Sequence, residues 1–202
     1  FEFYNEQRSG LSTLFAVTHK QYIPLKNIPP KDSFVLNNGR DAMASFETSL
    51  KIRFAYLEKF LENDFFRTSL GSPYPIGELY LSKGFAGVAK SGYDYFKISG
   101  SVSDYIKVPP YGSFSFNVYA GKTFGTLPYV FLDIAPGNEL YYYNTYAFNT
   151  MNKYEFIHDK YAGVNLDYNI GNGLFRFIPV TRKLKFRQFF TIKTLWGSLS
   201  DA

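Results

Sequence analysis

Ala44-Ser-Phe-Glu-Thr-Ser-Leu-Lys-Ile-Arg-Phe-Ala-Tyr56 decides how the rest of the chain is read. Its even positions carry Ala44, Phe46, Thr48, Leu50, Ile52, Phe54 and Tyr56, and its odd positions Ser45, Glu47, Ser49, Lys51, Arg53 and Ala55. A period of two belongs to a β-strand, because successive side chains leave the pleat on opposite sides. Thirteen residues of it make about twice an ordinary soluble strand.

The pattern recurs along the chain. Phe96, Ile98, Gly100 and Val102 alternate with Lys97, Ser99, Ser101 and Ser103. Phe114, Phe116, Val118 and Ala120 alternate with Ser113, Ser115, Asn117 and Tyr119. Ala162, Val164, Leu166, Tyr168 and Ile170 alternate with Gly163, Asn165, Asp167 and Asn169. A noisier segment runs from Arg187 to Leu199, and weaker ones cover Leu11 to Lys20 and Glu78 to Val88. Turn chemistries separate them: Asn38-Gly39, Ser91-Gly92, Pro109-Pro110-Tyr111-Gly112, Pro136-Gly137-Asn138 and Gly171-Asn172-Gly173. The best helix candidate is Leu57 to Leu70, and the proline in Phe175 to Leu184 argues against a second.

Composition narrows the class. The 202 residues suit one domain or part of a larger one, and 46% apolar residues permit a core. Aromatics reach 20%, with 18 Tyr, 22 Phe and one Trp. No apolar run is long enough for a membrane helix. With no Cys, thiolate sites and disulfides are excluded, and two His leave little room for zinc. The net charge of +5 is dispersed, so no nucleic-acid partner is expected. The chain opens on Phe1 without a charged-then-apolar leader, as in a mature protein or an internal piece of a longer one.

Long alternating strands fit a soluble sandwich or barrel, and they fit a transmembrane barrel with lipid on one face and a wet lumen on the other. Strand lengths of ten to thirteen residues favour the second. So do polar faces rich in Ser, Asn, Lys and Arg. Rings near strand ends (Phe54, Tyr56, Tyr93, Tyr95, Phe96, Tyr105, Tyr111, Tyr161) resemble an interfacial girdle. The fold expected is therefore all-β, an antiparallel transmembrane β-barrel in the outer membrane. Phe46, Leu50, Ile52 and Phe54 would face lipid, and Glu47, Lys51 and Arg53 the lumen. Strand reversals put 107–112 at the same end as 57–75 and Ser91-Gly92 opposite, with Pro109-Pro110 inside and Asn38-Gly39 outside.

Five blocks carry a resemblance over about 150 residues. They are Thr48-Ser-Leu-Lys-Ile-Arg-Phe-Ala55, Gly121-Lys-Thr-Phe-Gly-Thr-Leu-Pro-Tyr129, Tyr146-Ala-Phe-Asn-Thr-Met-Asn152, Tyr154-Glu-Phe-Ile-His-Asp-Lys-Tyr-Ala162 and Ile178-Pro-Val-Thr-Arg-Lys-Leu-Lys-Phe-Arg187. With them the chain resembles a Bacteroidota outer-membrane family, a domain of unknown function. Its members usually carry an N-terminal carboxypeptidase-regulatory-like domain. The resemblance implies a large single-chain barrel, distantly similar to BamA-type assembly and translocation barrels. No carboxypeptidase-regulatory-like domain is present. Family members continue beyond a segment like Gly197 to Asp201, so the chain is expected to hold seven or eight strands of a larger, incomplete barrel.

Little in the sequence points to reaction chemistry. Glu155 and His158 have a Glu-x-x-His spacing, but their flanks are strand-like and no second pair exists. His19, or His158 with Asp159, could serve a rim protease or lipase only if something oriented them. No enzymatic activity and no cofactor are expected. The class implied is a scaffold for membrane-protein assembly or transport. The alternative is a soluble β-rich glycan-binding module using Tyr141 to Tyr143, Tyr146 and Phe148. The segment around Tyr146, Asn149, Asn152 and Glu155 mixes rings with short amides, which suits folding into a wet lumen. There Glu155 could pair with Lys51 or Arg53. Arg182, Lys183, Lys185 and Arg187 form a basic run suited to lipid headgroups or a partner protein. Outer-membrane lipid or lipopolysaccharide is the expected partner, with other outer-membrane or periplasmic proteins possible.

Overall fold

A computed structural model describes residues 1–7, 9–22, 43–64, 66–138, 144–152, 154–171 and 187–200. Eight strands form one antiparallel sheet in the order β1 (Glu2–Glu6), β2 (Leu11–Tyr22), β3 (Met43–Phe54), β6 (Ile76–Gly84), β7 (Tyr95–Lys107), β8 (Ser113–Phe124), β11 (Lys160–Gly171) and β12 (Gln188–Ser198). Two small ladders accompany it: the hairpin β4 (Lys59–Asn63) with β5 (Phe66–Gly71), and β9 (Asp133–Ile134) with β10 (Ile157–His158). All seven segments read as strands from their alternation are strands of the sheet. The described residues contain no α-helix.

The sheet is open. Strands β1 and β12 are its two edges, so the eight strands do not close into a barrel. Leu57 to Leu70, expected to be helical, forms the β4–β5 hairpin instead. Its spacing of Leu57, Phe60 and Leu61 mimics a helix, but a long-range ion pair and a contact across the hairpin hold it. Arg67 Nη1 lies 2.5 Å from Glu6 Oε2 on β1, and the Arg67 guanidinium sits 3.6 Å above the Phe60 ring. Connections 55–75 and 108–112 share one end of the sheet and 85–94 lies at the other, as strand counting requires.

Register sorts every side chain onto one of two faces. Ile52, Leu79, Gly100, Ala120, Ala162 and Trp196 form one continuous cross-strand row. Phe54, Gly77, Val102, Val118 and Val164 form the next. The opposite face carries rows such as Lys51, Tyr80, Ser99, Gly121 and Tyr161. Burial runs against the usual soluble arrangement. On the apolar face Trp196 is 61% exposed, Ile192 60% and Val118 46%, whereas Ser82 and Asn165 of the polar face are 1% and 4% exposed.

Three tyrosines cover three glycines on the polar face, each pair directly opposed across neighbouring strands: Tyr95 with Gly84, Tyr119 with Gly163, and Tyr161 with Gly121. A Cβ at any of these glycines would overlap the partner ring. The ring occupies the space a Cβ would take, so the missing side chain is its seat. Gly112 is constrained differently. Its φ of +106° favours glycine, and a Cβ there would collide with the Asn169 carbonyl of β11. Gly163→Ala should cost about 1–3 kcal/mol by displacing Tyr119. Gly77→Ala, whose new methyl meets nothing within 4 Å, should be neutral or slightly stabilising. Urea midpoints of the two variants check this, and equal midpoints would contradict it.

Candidate functional site

The polar face is where the strands concentrate charge and hydrogen bonding. Alternation puts Glu47, Tyr80 and Tyr95 on it, and register brings them together. Tyr95 Oη donates to Glu47 Oε2 at 2.5 Å and Tyr80 Oη donates to Glu47 Oε1 at 3.0 Å. Toward the other end, Lys51 Nζ lies 3.0 Å from Glu78 Oε2 and Arg53 Nε 3.4 Å from Glu78 Oε1. Arg53 also grips Glu58 with both terminal nitrogens, at 2.6 and 2.7 Å. That bidentate contact, joined by the Ser69 hydroxyl, holds the Glu58 carboxyl below its ordinary pKa. It also ties the β4–β5 hairpin to the sheet.

The long connection between β8 and β11 lies over this face, and two lysines hold it there. Lys97 of β7 donates to the Phe131 carbonyl at 2.6 Å and lies 3.5 Å from Asp133 Oδ1. Lys193 of β12 donates to the Thr145 and Ala147 carbonyls at 2.5 and 2.9 Å. Apolar packing helps at one end, where Leu127 and Phe131 bury against Met43, Tyr93 and Tyr95. The connection is braced internally as well: Phe148 N–H donates to the Pro136 carbonyl at 2.9 Å, and Asn138 N–H to that of Met151 at 2.9 Å.

Between this cover and the strands sits a cleft of about 360 Å3. Ser103, Ser115, Asn117, Asn165 and Asp167 line it from the sheet, Ser72 and Tyr74 from the connection after β5, and Thr145 and Tyr146 from the cover. Asp167 accepts a hydrogen bond from Thr191 Oγ1 at 2.6 Å. The side-chain oxygen of Asn117 and both polar atoms of the Asn165 amide are buried without a hydrogen-bond partner.

The residues singled out in the sequence fare unevenly. Tyr146 lines the cleft, and its neighbours Thr145 and Ala147 meet Lys193. Asn149, Asn152 and Glu155 are exposed. Glu155 does not reach Lys51 or Arg53: its carboxylate accepts the Asn152 N–H at 2.7 Å, while those cations pair with Glu78 and Glu58. Arg182, Lys183, Lys185, Tyr141 to Tyr143 and Asn38-Gly39 lie outside the described residues, whereas Arg187 is exposed just before β12. Tyr93, Tyr95 and Tyr161, counted among the strand-end rings, sit on the polar side, under the cover or over Gly121.

His158 is buried with its ring 4.8 Å from that of Tyr161, and burial lowers its pKa. Burial raises the pKa of Asp159, but the hydrogen bonds from the Ser200 hydroxyl and N–H outweigh it and bring the value below the ordinary one. Among the described residues no three His, Cys, Asp or Glu gather as a metal site would require. Lys97, Lys193 and Asp133 were missed by sequence reading. The alternation marks both lysines as polar-face residues, but their carbonyl partners depend on the path of the cover.

Fold and site together define an antiparallel all-β protein whose polar face is covered by its own chain and whose apolar face is bare among the described residues. The chain belongs to a family of unknown function, DUF5686, and matches its C-terminal domain over residues 3–201. No curated protein and no solved structure matches it.

Lys193→Met should free the cover, because hydrogen bonds from a charged donor contribute about 1.5–3 kcal/mol. Amide exchange at Ala147, Phe148 and Met151 is expected to rise at least about tenfold, with β7 and β8 unchanged. Exchange unaltered at those three amides would show that Lys193 is not the anchor.

Proposed function

We propose that this sheet is part of an outer-membrane, transmembrane β-barrel, with the apolar face toward lipid and the polar face toward the interior. The observation that carries the reading is the inversion of burial: the large apolar side chains are outside and the ion pairs, amides and hydroxyls inside. In water, an apolar surface running across six strands would be costly, since each large side chain left exposed forgoes roughly 1.5–3 kcal/mol. Against hydrocarbon the same surface is at home, and the ladders satisfy the backbone of the inner strands.

Dimensions support the reading. The long strands run from 9 residues in β6 to 13 in β7. At about 3.3 Å per residue and a tilt near 45°, such strands cover about 21–30 Å, close to a bilayer's hydrocarbon thickness. The two central apolar rows bear no charge. Those on that face lie nearer the strand ends: Lys83, Lys122 and Lys160 on one side and Asp104 on the other.

On this reading the protein is a non-enzymatic scaffold for membrane-protein assembly or transport. The covered interior, rather than any catalytic constellation, is its working surface. Two edge strands with free backbone groups would pair with further strands or another chain in the membrane. A soluble glycan-binding module would leave the bare apolar face unexplained.

Nitroxide labels at positions 50 and 51 of the reconstituted protein test the assignment. Position 50 should be accessible to oxygen and shielded from a water-soluble nickel chelate, and position 51 the reverse. Exchanged accessibilities would turn the sheet over, and chelate access at both would remove it from the membrane.

A further inference from the structure

The apolar face carries a trough that packing does not require. Gly77, Gly100 and Ala120 lie in it, bordered by Ile52, Phe54 and Val118, and it is a shallow, open depression of about 490 Å3. Neither glycine has a backbone angle that demands glycine. A Cβ at Gly77 would meet nothing within 4 Å, and one at Gly100 would make only ordinary contacts with the Glu78 carbonyl and the Leu79 methyl. Glycine weakens a strand interior by about 0.5–1 kcal/mol against alanine. These two therefore cost stability and leave a groove, whereas Gly84, Gly121 and Gly163 on the other face seat tyrosine rings.

One row from the trough, on the same face, Lys122 of β8 and Lys160 of β11 are directly opposed. Such partners hold their Cβ atoms about 5 Å apart, and like charges there repel. Neither ammonium forms an ion pair among the described residues. Lys122 lies 4.5 Å from the centre of the Phe124 ring, and Asp159, beside Lys160 in sequence, attracts it without a direct ion pair and takes its hydrogen bonds from Ser200. An anion between the two lysines would relieve the repulsion.

The geometry points to a binding site for an anionic phospholipid, its phosphate between Lys122 and Lys160 and one acyl chain in the Gly77–Gly100–Ala120 trough. The inference rests on the membrane reading above and adds a specific ligand to it. The lysine pair selects the charge, and the trough admits a chain lying against the sheet. A free phosphate would use only half of the site.

The test is a Val118→Trp reporter in a Trp196→Phe background, reconstituted with chain-brominated phosphatidylglycerol or phosphatidylcholine diluted into unbrominated phosphatidylcholine. Val118 walls the trough and is 46% exposed, so the indole fits there. Brominated phosphatidylglycerol should quench at about tenfold lower mole fraction than brominated phosphatidylcholine, the size expected for one to two lysines at an anionic headgroup. Lys122→Gln with Lys160→Gln should abolish that preference and leave quenching by the neutral lipid intact. Gly100→Leu should weaken quenching by the anionic lipid by filling the trough, and its Cβ would make only ordinary contacts. Equal quenching by both lipids in the parent, or full displacement of the brominated anionic lipid by millimolar inorganic phosphate, would overturn the site while sparing the membrane reading. Absence of quenching by either lipid would overturn both.

Discussion

A slip of one residue between β3 and β6 would turn Glu78 and Tyr80 onto the face that carries Leu50 and Ile52. Every other feature of this protein depends on that slip not occurring. The ladders are in unbroken register from β2 across β3, β6, β7 and β8 to β11, so one face collects the charged and hydroxyl side chains and the other the aliphatic ones. Lys51, Arg53, Glu58 and Glu78 then lie close enough to pair, and Glu47 can take two tyrosine hydroxyls. If the aliphatic face meets lipid as proposed, an arginine turned onto it at mid-bilayer would cost roughly 2–4 kcal/mol, a second penalty on the same slip.

The same sorting explains the cover over the polar face. Strand carbonyls are spent on neighbouring strands, so Lys97 and Lys193 have donors to spare, and the connection between β8 and β11 supplies carbonyls at Phe131, Thr145 and Ala147. The cover rests on a few charged hydrogen bonds and one small apolar cluster rather than on a packed second layer. Local stability of that kind suits a segment that opens separately from the sheet. Below it, the Asn117 side-chain oxygen and the Asn165 amide have no hydrogen-bond partner among the described residues.

Much of the sheet was legible because its signal is local. A lipid-facing or core-facing phase repeats every second residue, and Ala44 to Tyr56 shows it without any knowledge of neighbours. Strand β1 was missed because Glu2–Glu6 is short and edge-paired, with Phe3, Tyr4 and Glu6 giving no clean phase. The β4–β5 hairpin was missed because a contact distant in sequence, Arg67 with Glu6, and the Ser69–Glu58 closure across it select it over a helix. The site was less legible than the fold. Tyr146 belongs to the segment whose mix of rings and short amides stands out in the sequence, but the lysines that hold its neighbours have backbone partners no pattern specifies. Lys122 and Lys160 sit just past the segments where alternation was clearest, and only pairing β8 with β11 brings them together.

The central claim is that the bare face of the sheet meets hydrocarbon, and the native protein carries its own probe of that. Trp196, the one tryptophan, lies on β12 in the row of Ala162 and Ala120 and is 61% exposed. Fluorescence of the unmodified protein reconstituted in chain-brominated phosphatidylcholine vesicles reports directly on its surroundings. The account predicts blue-shifted emission, strong quenching by the brominated chains and little quenching by acrylamide. Emission typical of water, quenched by acrylamide and indifferent to the brominated lipid, would contradict it.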